Sequence, residues 1–283
     1  EDKYIRVAQT EENILGTATA NSASTGQIQP TVFNLLLDDY PNAAVAYSLR
    51  KLRIGYSGDA IKVRRDSDQA LQDIGFFNGE LDIASLESFC SGTDGFVTTW
   101  FDQSGNGNDM TQTTSSQQPI VVNAGSIILD TGKPTIDFGA GQREMFSSAI
   151  SNYSQPNTYF IKANSIQSLS DFTDGAGSAR NLNDYANSRH RMFAGASFES
   201  TFNFTFGLQF LRYSLFNGVD SEMSINGAAV QTGDVGTNPM LGAFQIGDST
   251  SDFKLNEFIM YNSNQSTNRS GIETNINDFY NIY

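Results

Sequence analysis

Cysteine, histidine and tryptophan are almost absent from this sequence, since each occurs only once in 283 residues. A lone Cys90 excludes an intramolecular disulfide framework and a cysteine-rich zinc site. A lone His190 excludes a metal site built on several histidines. No Gly-x-Ser-x-Gly motif is present, so nothing marks the nucleophile elbow of a serine hydrolase. The sequence therefore points away from disulfide-rich, zinc and serine-hydrolase chemistries.

Charged residues and long apolar runs are also sparse. Only 17% of the residues are charged, and no stretch reaches the 18 or more apolar residues of a membrane span. The excess of 31 acidic over 17 basic residues gives a net charge of -14. Such a field repels phosphate backbones and anionic lipid, so we expect no nucleic-acid partner and no membrane insertion. Because the chain opens on Glu1 without a signal-like segment, we expect a processed or truncated N-terminus.

Aromatic and β-prone residues are plentiful by contrast. The chain has 21 Phe and 11 Tyr and is 39% hydrophobic, which is too apolar for disorder and typical of β-sandwich cores. Residues 95–261 show only strand and turn signals, and Asn226 with Gly227 marks a two-residue hairpin turn. This pattern predicts a mostly β chain of two packed sheets with a few short helices.

Three helices are predicted from apolar spacing and capping residues. The first covers 43–52, the second runs over 83–90 with Asp82 as its cap, and the third lies near the C-terminus. The apolar stripes of the first and third helices are Ala43, Ala46, Leu49 and Leu52, and Ile272, Ile276, Phe279 and Tyr280.

The first 39 residues differ in composition from the rest of the chain. Residues 16–26 are rich in Ser, Thr, Ala and Gly, which is typical of a connector. We therefore divide the chain into an N-terminal arm over 1–39 and a β-sandwich domain over 40–283. We expect the arm to pack against another chain or to be mobile.

Several segments between 46 and 112 resemble one known family. Residues 46–58 read AYSLRKLRIGYSG and residues 97–108 read VTTWFDQSGNGN, with a weaker match over 244–261. Together they resemble the catalytic domain of B-type α-L-arabinofuranosidases and the related concanavalin A/laminin-G-like domains of bacteriophage structural proteins. The resemblance implies a concanavalin A-like jelly roll, which is an antiparallel β-sandwich.

The resemblance also implies a retaining glycosidase site with a Glu nucleophile and an Asp general acid. Asp248 follows Gly247, as the acid does in the family, and both residues are expected to contact the sugar. For the nucleophile, which the family carries in the middle of the domain, Glu199 is the best candidate and Glu222 the next. The family's adjacent cysteine pair in the sugar pocket is missing here.

The candidate residues also have purely structural interpretations. Asp248 opens a Gly-, Ser- and Asp-rich segment that is typical of a turn between strands. The polar loop 102–108 fits a set of Asx turns, with glycines supplying positive φ. Trp100, within an apolar strand, is expected in the core rather than stacked on a sugar.

The lone Cys90 and the lone His190 also have interpretations that involve no chemical function. The resemblance places the family's partner half-cystine five residues after Cys90, where this chain has Gly95. We therefore expect a free, buried thiol. His190 lies between Arg189 and Arg191, so we expect an exposed residue in a basic patch.

No cofactor is expected for this chain. Calcium is the one metal for which the sequence offers hard oxygen ligands, from Asp248 and Asp252 or from Asp38 and Asp39. Neither pair has a recognised loop spacing, so solvated acids are the favoured interpretation.

Three functions are compatible with the sequence. The leading expectation is a non-catalytic, carbohydrate-contacting or structural module of a phage virion, such as a fibre, spike or head decoration with a receptor-binding role. Its partners would be a cell-surface glycan and, through the arm, other virion proteins or further copies of the chain, at the virion surface or outside the cell. The alternative is a secreted α-L-arabinofuranosidase-like retaining glycoside hydrolase, and the third is a packing protein that binds no sugar.

Overall fold

The computed structural model describes residues 35–139, 142–148, 152–165, 171–174, 181–185, 189–203, 205–248 and 251–283. Most of the expected arm over 1–39 lies outside these residues. Its last part is a short helix whose Leu36 and Leu37 are buried against the domain.

The described residues form three α-helices, two short 3-10 turns and 23 strands. The helices are α1 (Leu36–Asp39), α2 (Ile83–Phe89) and α3 (Arg269–Tyr280), and the 3-10 turns are Ser115–Gln117 and Gly218–Asp220. The strands are β1 (Val45–Ser48), β2 (Ile61–Arg65), β3 (Leu71–Ile74), β4 (Phe76–Phe77), β5 (Glu80–Leu81), β6 (Gly95–Trp100), β7 (Met110–Thr111), β8 (Ile120–Asn123), β9 (Ser126–Ile127), β10 (Leu129–Asp130), β11 (Lys133–Pro134), β12 (Ile136–Asp137), β13 (Met145–Ser147), β14 (Asn157–Ser165), β15 (Asp171–Asp174), β16 (Asn181–Tyr185), β17 (Arg189–Phe193), β18 (Ser197–Asn203), β19 (Gln209–Phe216), β20 (Ser221–Ile225), β21 (Gln231–Gly233), β22 (Phe244–Ile246) and β23 (Phe253–Tyr261).

The strands build two antiparallel layers. One layer, the helix-side sheet, has the order β21–β20–β19–β14–β23. Strands β1 and β12 both pair with β23, and β12 pairs in turn with β8. The other, the front sheet, has the order β18–β17–β16–β15–β22–β13–β7–β6–β2–β3. Strand β6 also pairs with β8 and so joins the layers. The antiparallel β-sandwich predicted from the sequence is confirmed.

Aromatic side chains fill the space between the two layers. Phe244 of the front sheet packs edge-on against Tyr159 and Phe258 of the helix-side sheet, with ring centroids 6.1 and 5.5 Å apart. Phe172 packs against Phe253 at 5.4 Å. Each fully buried Phe contributes roughly 1.5–3 kcal/mol through removal of apolar surface from water, so this aromatic seam holds the two layers face to face.

The opposite face of the helix-side sheet is covered by α3. Ile272 and Ile276 are fully buried and Tyr280 is nearly so, in a cluster with Phe160 and Tyr213 of the sheet. The predicted C-terminal amphipathic helix is therefore confirmed. Helix α3 therefore covers part of the outer face of the helix-side sheet.

The predicted helix over 43–52 is wrong. Its centre is β1, in which all four residues are buried and pair with β23. A short strand buried on both faces is an uninterrupted apolar run, and periodicity does not distinguish such a run from a helix.

Two other local predictions are confirmed. Helix α2 is present, and its cap Asp82 accepts a hydrogen bond from the backbone N–H of Ser85 at 3.1 Å. At the predicted hairpin turn after β20, Asn226 and Gly227 have φ values of 52° and 67°, as a type I′ turn requires.

Cys90 is a free, fully buried thiol, as predicted. A Cβ atom built on Gly95 would lie 2.6 Å from the Cys90 sulfur, close to the separation of about 3 Å across a disulfide. We therefore expect oxidised Gly95→Cys to form a disulfide with Cys90, and its free energy of unfolding to exceed that of Gly95→Ala by about 2 kcal/mol. Thiol titration, mass spectrometry and urea unfolding measure this.

Gly95→Ala is the matched control for this substitution. It adds the same crowding against Val63 and Val122, each 3.2 Å from the added Cβ, but no bond. It should therefore lower stability by about 1–3 kcal/mol. A Gly95→Cys protein that keeps two free thiols after oxidation would contradict the prediction.

Candidate functional site

The outer surface of the front sheet carries a polar patch around β13 and β22. In β13 the alternation of the strand buries Met145 and Ser147 and leaves Phe146 37% exposed. Glu144 lies two residues before Phe146 and so shares its face. Gln245 is the cross-strand partner of Phe146. We call Glu144, Phe146, Gln245 and the adjoining Asp248 the front patch.

Glu144 is held in place by two amides. Its Oε1 accepts a hydrogen bond from Nε2 of Gln117 at 2.8 Å, and its Oε2 accepts one from Nε2 of Gln245 at 2.9 Å. Its backbone carbonyl accepts from Nε2 of Gln112 at 3.1 Å. The carboxylate is half-buried and is thereby fixed in position before any ligand arrives.

Asp248 enters the patch from the loop after β22. Its Oδ1 accepts hydrogen bonds from the backbone N–H and the hydroxyl of Ser251, at 2.8 and 3.0 Å, so it does act as a turn residue. Gly247 before it has φ +81°, and any Cβ there would collide with the carbonyl oxygen of Arg143. A glycine is therefore required at position 247 for the chain to pass next to Arg143, just before β13, and to place Asp248 there.

Glu144 and Asp248 are coupled electrostatically. Burial raises the pKa of Glu144, and the charge of Asp248 raises it further, against the opposing hydrogen bonds from Gln245 and Gln117. A second carboxyl nearby, Asp252, also has a raised pKa, first through burial and then through the charge of Asp137. Clustered carboxyl groups whose ionisation is coupled in this way are typical of general acid and nucleophile pairs.

Glu199 lies on the front sheet but not beside Asp248. It is exposed on β18, opposite Arg191 of β17, and four strand steps separate β18 from β22. At about 4.8 Å per step that is roughly 19 Å along the sheet, whereas a retaining pair needs about 5–5.5 Å. The structure brings Glu144, and not Glu199, to Asp248.

Glu222 lies in β20 of the helix-side sheet, away from the front patch. Its Oε2 accepts a hydrogen bond from the hydroxyl of Tyr213 at 2.7 Å, and the interaction helps to raise the pKa of Tyr213. Glu222 thus serves the packing of the helix-covered face.

Glu144 was missed from the sequence. The alternation around β13 is too short to show which residues face outward, and the partners Gln117 and Gln245 are 27 and 101 positions away. The one usable signal is a Glu two residues before a strand aromatic, which is weak by itself.

The loop 102–108 is a structural element, as its Asx-turn interpretation predicted. Oδ1 of Asp102 accepts from the backbone N–H groups of Ala46 and Ser104, both at 2.9 Å. Gly105 and Gly107 have positive φ. Trp100 is fully buried with its ring 5.9 Å from that of Tyr47, so it belongs to the core.

The prediction of an exposed His190 is wrong. Its side chain is fully buried, with its ring 4.9 Å from that of Phe210. The strand alternation of β17 turns it inward while its neighbour Arg189 stays exposed, and a local basic composition does not reveal that alternation.

Two negative observations apply to the part of the chain that the structure describes. Within it, no group of three or more His, Cys, Asp or Glu residues could hold a metal ion. Of the calcium candidates, Asp38 instead accepts backbone hydrogen bonds from Leu35 and Ile54, at 3.1 and 3.0 Å. None of the helices there is both long and apolar enough for a membrane crossing.

Three comparisons show which known proteins this sandwich resembles. Residues 38–159 match the sequence model of the family described as alpha-L-arabinofuranosidase B, catalytic. Among solved structures, a GH54 α-L-arabinofuranosidase soaked with a cyclic sulfate inhibitor superposes with a TM-score of 0.62 at 16% identity, covering 83% of this chain and 62% of that one. An arabinofuranosidase complexed with arabinofuranosyl-α-1,2-xylobiose gives the same values. At that identity the superposition shows the fold alone.

Curated relatives agree over shorter segments. The chain is 40% identical over 74 residues to a probable α-L-arabinofuranosidase B of Aspergillus fumigatus, covering 25% of this chain and 15% of that protein. It is 32% identical over 111 residues to the Aspergillus terreus protein of the same name, covering 38% and 21%. The alignments therefore span about a fifth or less of these relatives' length. The resemblance to the B-type catalytic domain is confirmed.

The expectation that the chain is a non-catalytic module of a phage virion is wrong. The family match, the curated relatives and the two superposed structures named above are all arabinofuranosidases, and nothing in these comparisons supports a virion role. The sequence-based argument failed because an acidic surface rich in Asn, Ser and Thr on a β scaffold suits many extracellular proteins, and fold composition does not specify function.

Proposed function

We propose that this chain is an arabinofuranosidase-like retaining glycoside hydrolase that works outside the cell on α-L-arabinofuranosyl groups of a glycan. The observation that carries the proposal is the coupled carboxyl pair of the front patch. Asp248 stands in the position that the resemblance gives to the general acid, and Glu144 is a fixed Glu beside it.

In this proposal Glu144 is the nucleophile and Asp248 the acid and base. Glu144 attacks the anomeric carbon while Asp248 gives its proton to the departing glycosidic oxygen, leaving a covalent glycosyl–Glu144 ester. A water molecule then loses a proton to Asp248 and attacks the same carbon, which releases arabinose and regenerates the carboxylate of Glu144. Asp248 gives up a proton in the first step and regains one in the second, so the cycle needs both Asp248 and Glu144.

Phe146 supplies an apolar surface next to the pair. Its ring is 37% exposed, and its cross-strand partners are Gln245 and Thr111. An exposed aromatic face flanked by amide and hydroxyl groups suits a shallow sugar site, because the ring stacks on C–H groups while the polar groups take hydroxyls.

Glu144→Gln tests the proposal. The parent protein should hydrolyse 4-nitrophenyl α-L-arabinofuranoside, and the variant should lose about 10³-fold or more in kcat, because glutamine cannot form the glycosyl ester. Initial rates of nitrophenolate release measure both.

Glu199→Gln is the matched control for this substitution. It removes another Glu carboxylate from the same sheet, and its kcat should stay within about twofold of the parent. Turnover that survives Glu144→Gln but not Glu199→Gln would move the nucleophile to β18. A parent protein without turnover on this and on polymeric arabinofuranosides would overturn the proposal.

A further inference from the structure

A second concave site lies at the other end of β13 from Glu144. It is a cleft of about 360 Å³ between the loop before β1, the loop 102–108 and the segment before β14. Its polar lining consists of Asn42, Arg53, Ser104, Asn106, Tyr153 and Asn262. The volume falls in the range of small-ligand sites and suits one monosaccharide unit.

Arg53 is the one charged residue that lines this cleft within the described part of the chain. Its side chain uses one terminal N–H to donate to the carbonyl of Ser104 at 3.2 Å. Its Nε atom is buried and has no hydrogen-bond partner among the described residues. No described carboxylate lies within ion-pair distance of it, although the chain has 31 acidic residues and a net charge of -14. The guanidinium therefore lines the cleft as a cation without a carboxylate partner among the described residues.

The rest of the lining is neutral and suited to hydroxyl groups. Three asparagine amides and the half-buried ring of Tyr153 surround the cleft. The amide of Asn106 is fixed by donating to the carbonyls of Ala43 and Ala44, each at 3.0 Å. Amides with an aromatic face recognise sugars, whereas a guanidinium fork recognises a planar carboxylate.

We infer that this cleft, which we call the Arg53 pocket, binds a uronic acid residue, with its carboxylate on Arg53 and its ring between Tyr153 and the asparagine amides. The pocket is separate from the front patch, because the two share no lining residue and β13 lies between Glu144 and Ser148, whose backbone N–H donates to Asp109 beside the loop 102–108. The binding needs no hydrolysis, so its test is independent of the proposed catalytic pair.

Calorimetric titration with methyl glucuronoside and methyl galacturonoside tests the inference, with methyl glucoside and acetate as the neutral and the sugar-free probes. We expect the parent protein and Glu144→Gln to bind at least one uronoside, and to bind glucoside and acetate at least about tenfold more weakly. Asn262→Asp places a like charge in the pocket at an exposed position, and should weaken uronoside binding about tenfold or more.

Asn264→Asp is the matched control. It makes the same change of charge at an exposed residue two positions away that does not line the pocket, and its affinity should equal that of the parent. Arg53→Gln should abolish binding, with thermal unfolding showing that the variant is folded. Equal binding of glucoside, equal binding of acetate, or an Asn262→Asp protein with unchanged affinity would each overturn the inference. A Glu144→Gln protein that loses turnover but still binds the uronoside would support the inference that the Arg53 pocket binds a uronic acid.

Discussion

Asp248→Asn is expected to lower kcat by about 10²–10⁴-fold for an α-L-arabinofuranoside with a poor leaving group. The loss should be much smaller for a 4-nitrophenyl glycoside, whose leaving group needs no proton, and added azide should accelerate the second step. Asparagine keeps the shape of Asp248 and the hydrogen-bond acceptor that Ser251 uses, so the fold should be retained. Steady-state kinetics over a series of aryl leaving groups measures this dependence.

The same substitution should change the alkaline side of the pH profile of the first step. Glu144 reacts only when it is ionised, and burial raises its pKa. The parent should therefore lose activity, as the pH falls, at a higher pH than an ordinary glutamate would give. Asp248 must carry its proton in this step and is then uncharged, so Asp248→Asn should keep this acidic limb and lose the alkaline limb.

Asp220→Asn serves as the control for both measurements. Asp220 is exposed in the turn before β20, and its replacement should leave the leaving-group dependence and both limbs of the pH profile unchanged. An Asp248→Asn protein that loses activity equally on all leaving groups, without azide rescue and with its alkaline limb intact, would refute the role of Asp248 as the acid.

Glu257→Gln is expected to lower the free energy of unfolding by about 3–5 kcal/mol. Glu257 is fully buried in β23, where its carboxylate accepts from Nε and Nη2 of Arg50 at 2.8 and 2.9 Å and from the hydroxyl of Ser48 at 2.7 Å. Glutamine keeps the volume but leaves the buried charge of Arg50 without its counter-charge. The hydroxyl of Tyr280 in α3 also bonds to Glu257, at 3.3 Å, so the variant should loosen this helix as well. Urea unfolding followed by circular dichroism measures the loss.

Glu80→Gln is the matched control for Glu257→Gln. Glu80 forms a 2.8 Å ion pair with Lys133, but the two side chains are 44% and 26% exposed, and such pairs contribute about 0–1 kcal/mol. Two Glu→Gln changes with equal effects would show that burial does not set the strength of the Arg50–Glu257 pair.

Much of the fold followed from the sequence. Turn chemistry at Asn226 and Gly227, the cap at Asp82 and the apolar stripe of Ile272 and Ile276 are local signals, and the structure has the element each one predicts. The helix predicted over 43–52 failed because β1 is buried on both faces. What makes β1 a strand is its pairing with β23, about 210 residues further along the chain.

The candidate site depended far more on tertiary structure. The sequence singled out Gly247 and Asp248 through the resemblance, but it gave no reason to choose Glu144 over Glu199. That choice depends on the strand order β13–β22–β15–β16–β17–β18, which puts Glu144 next to Gly247 and Glu199 four strands away. The sequence by itself determined the antiparallel sandwich, its C-terminal helix and its free thiol, because periodicity, turn residues and composition are local properties. Only the tertiary structure decided which carboxylates meet, because strand register joins residues about 100 positions apart and burial then sets their pKa.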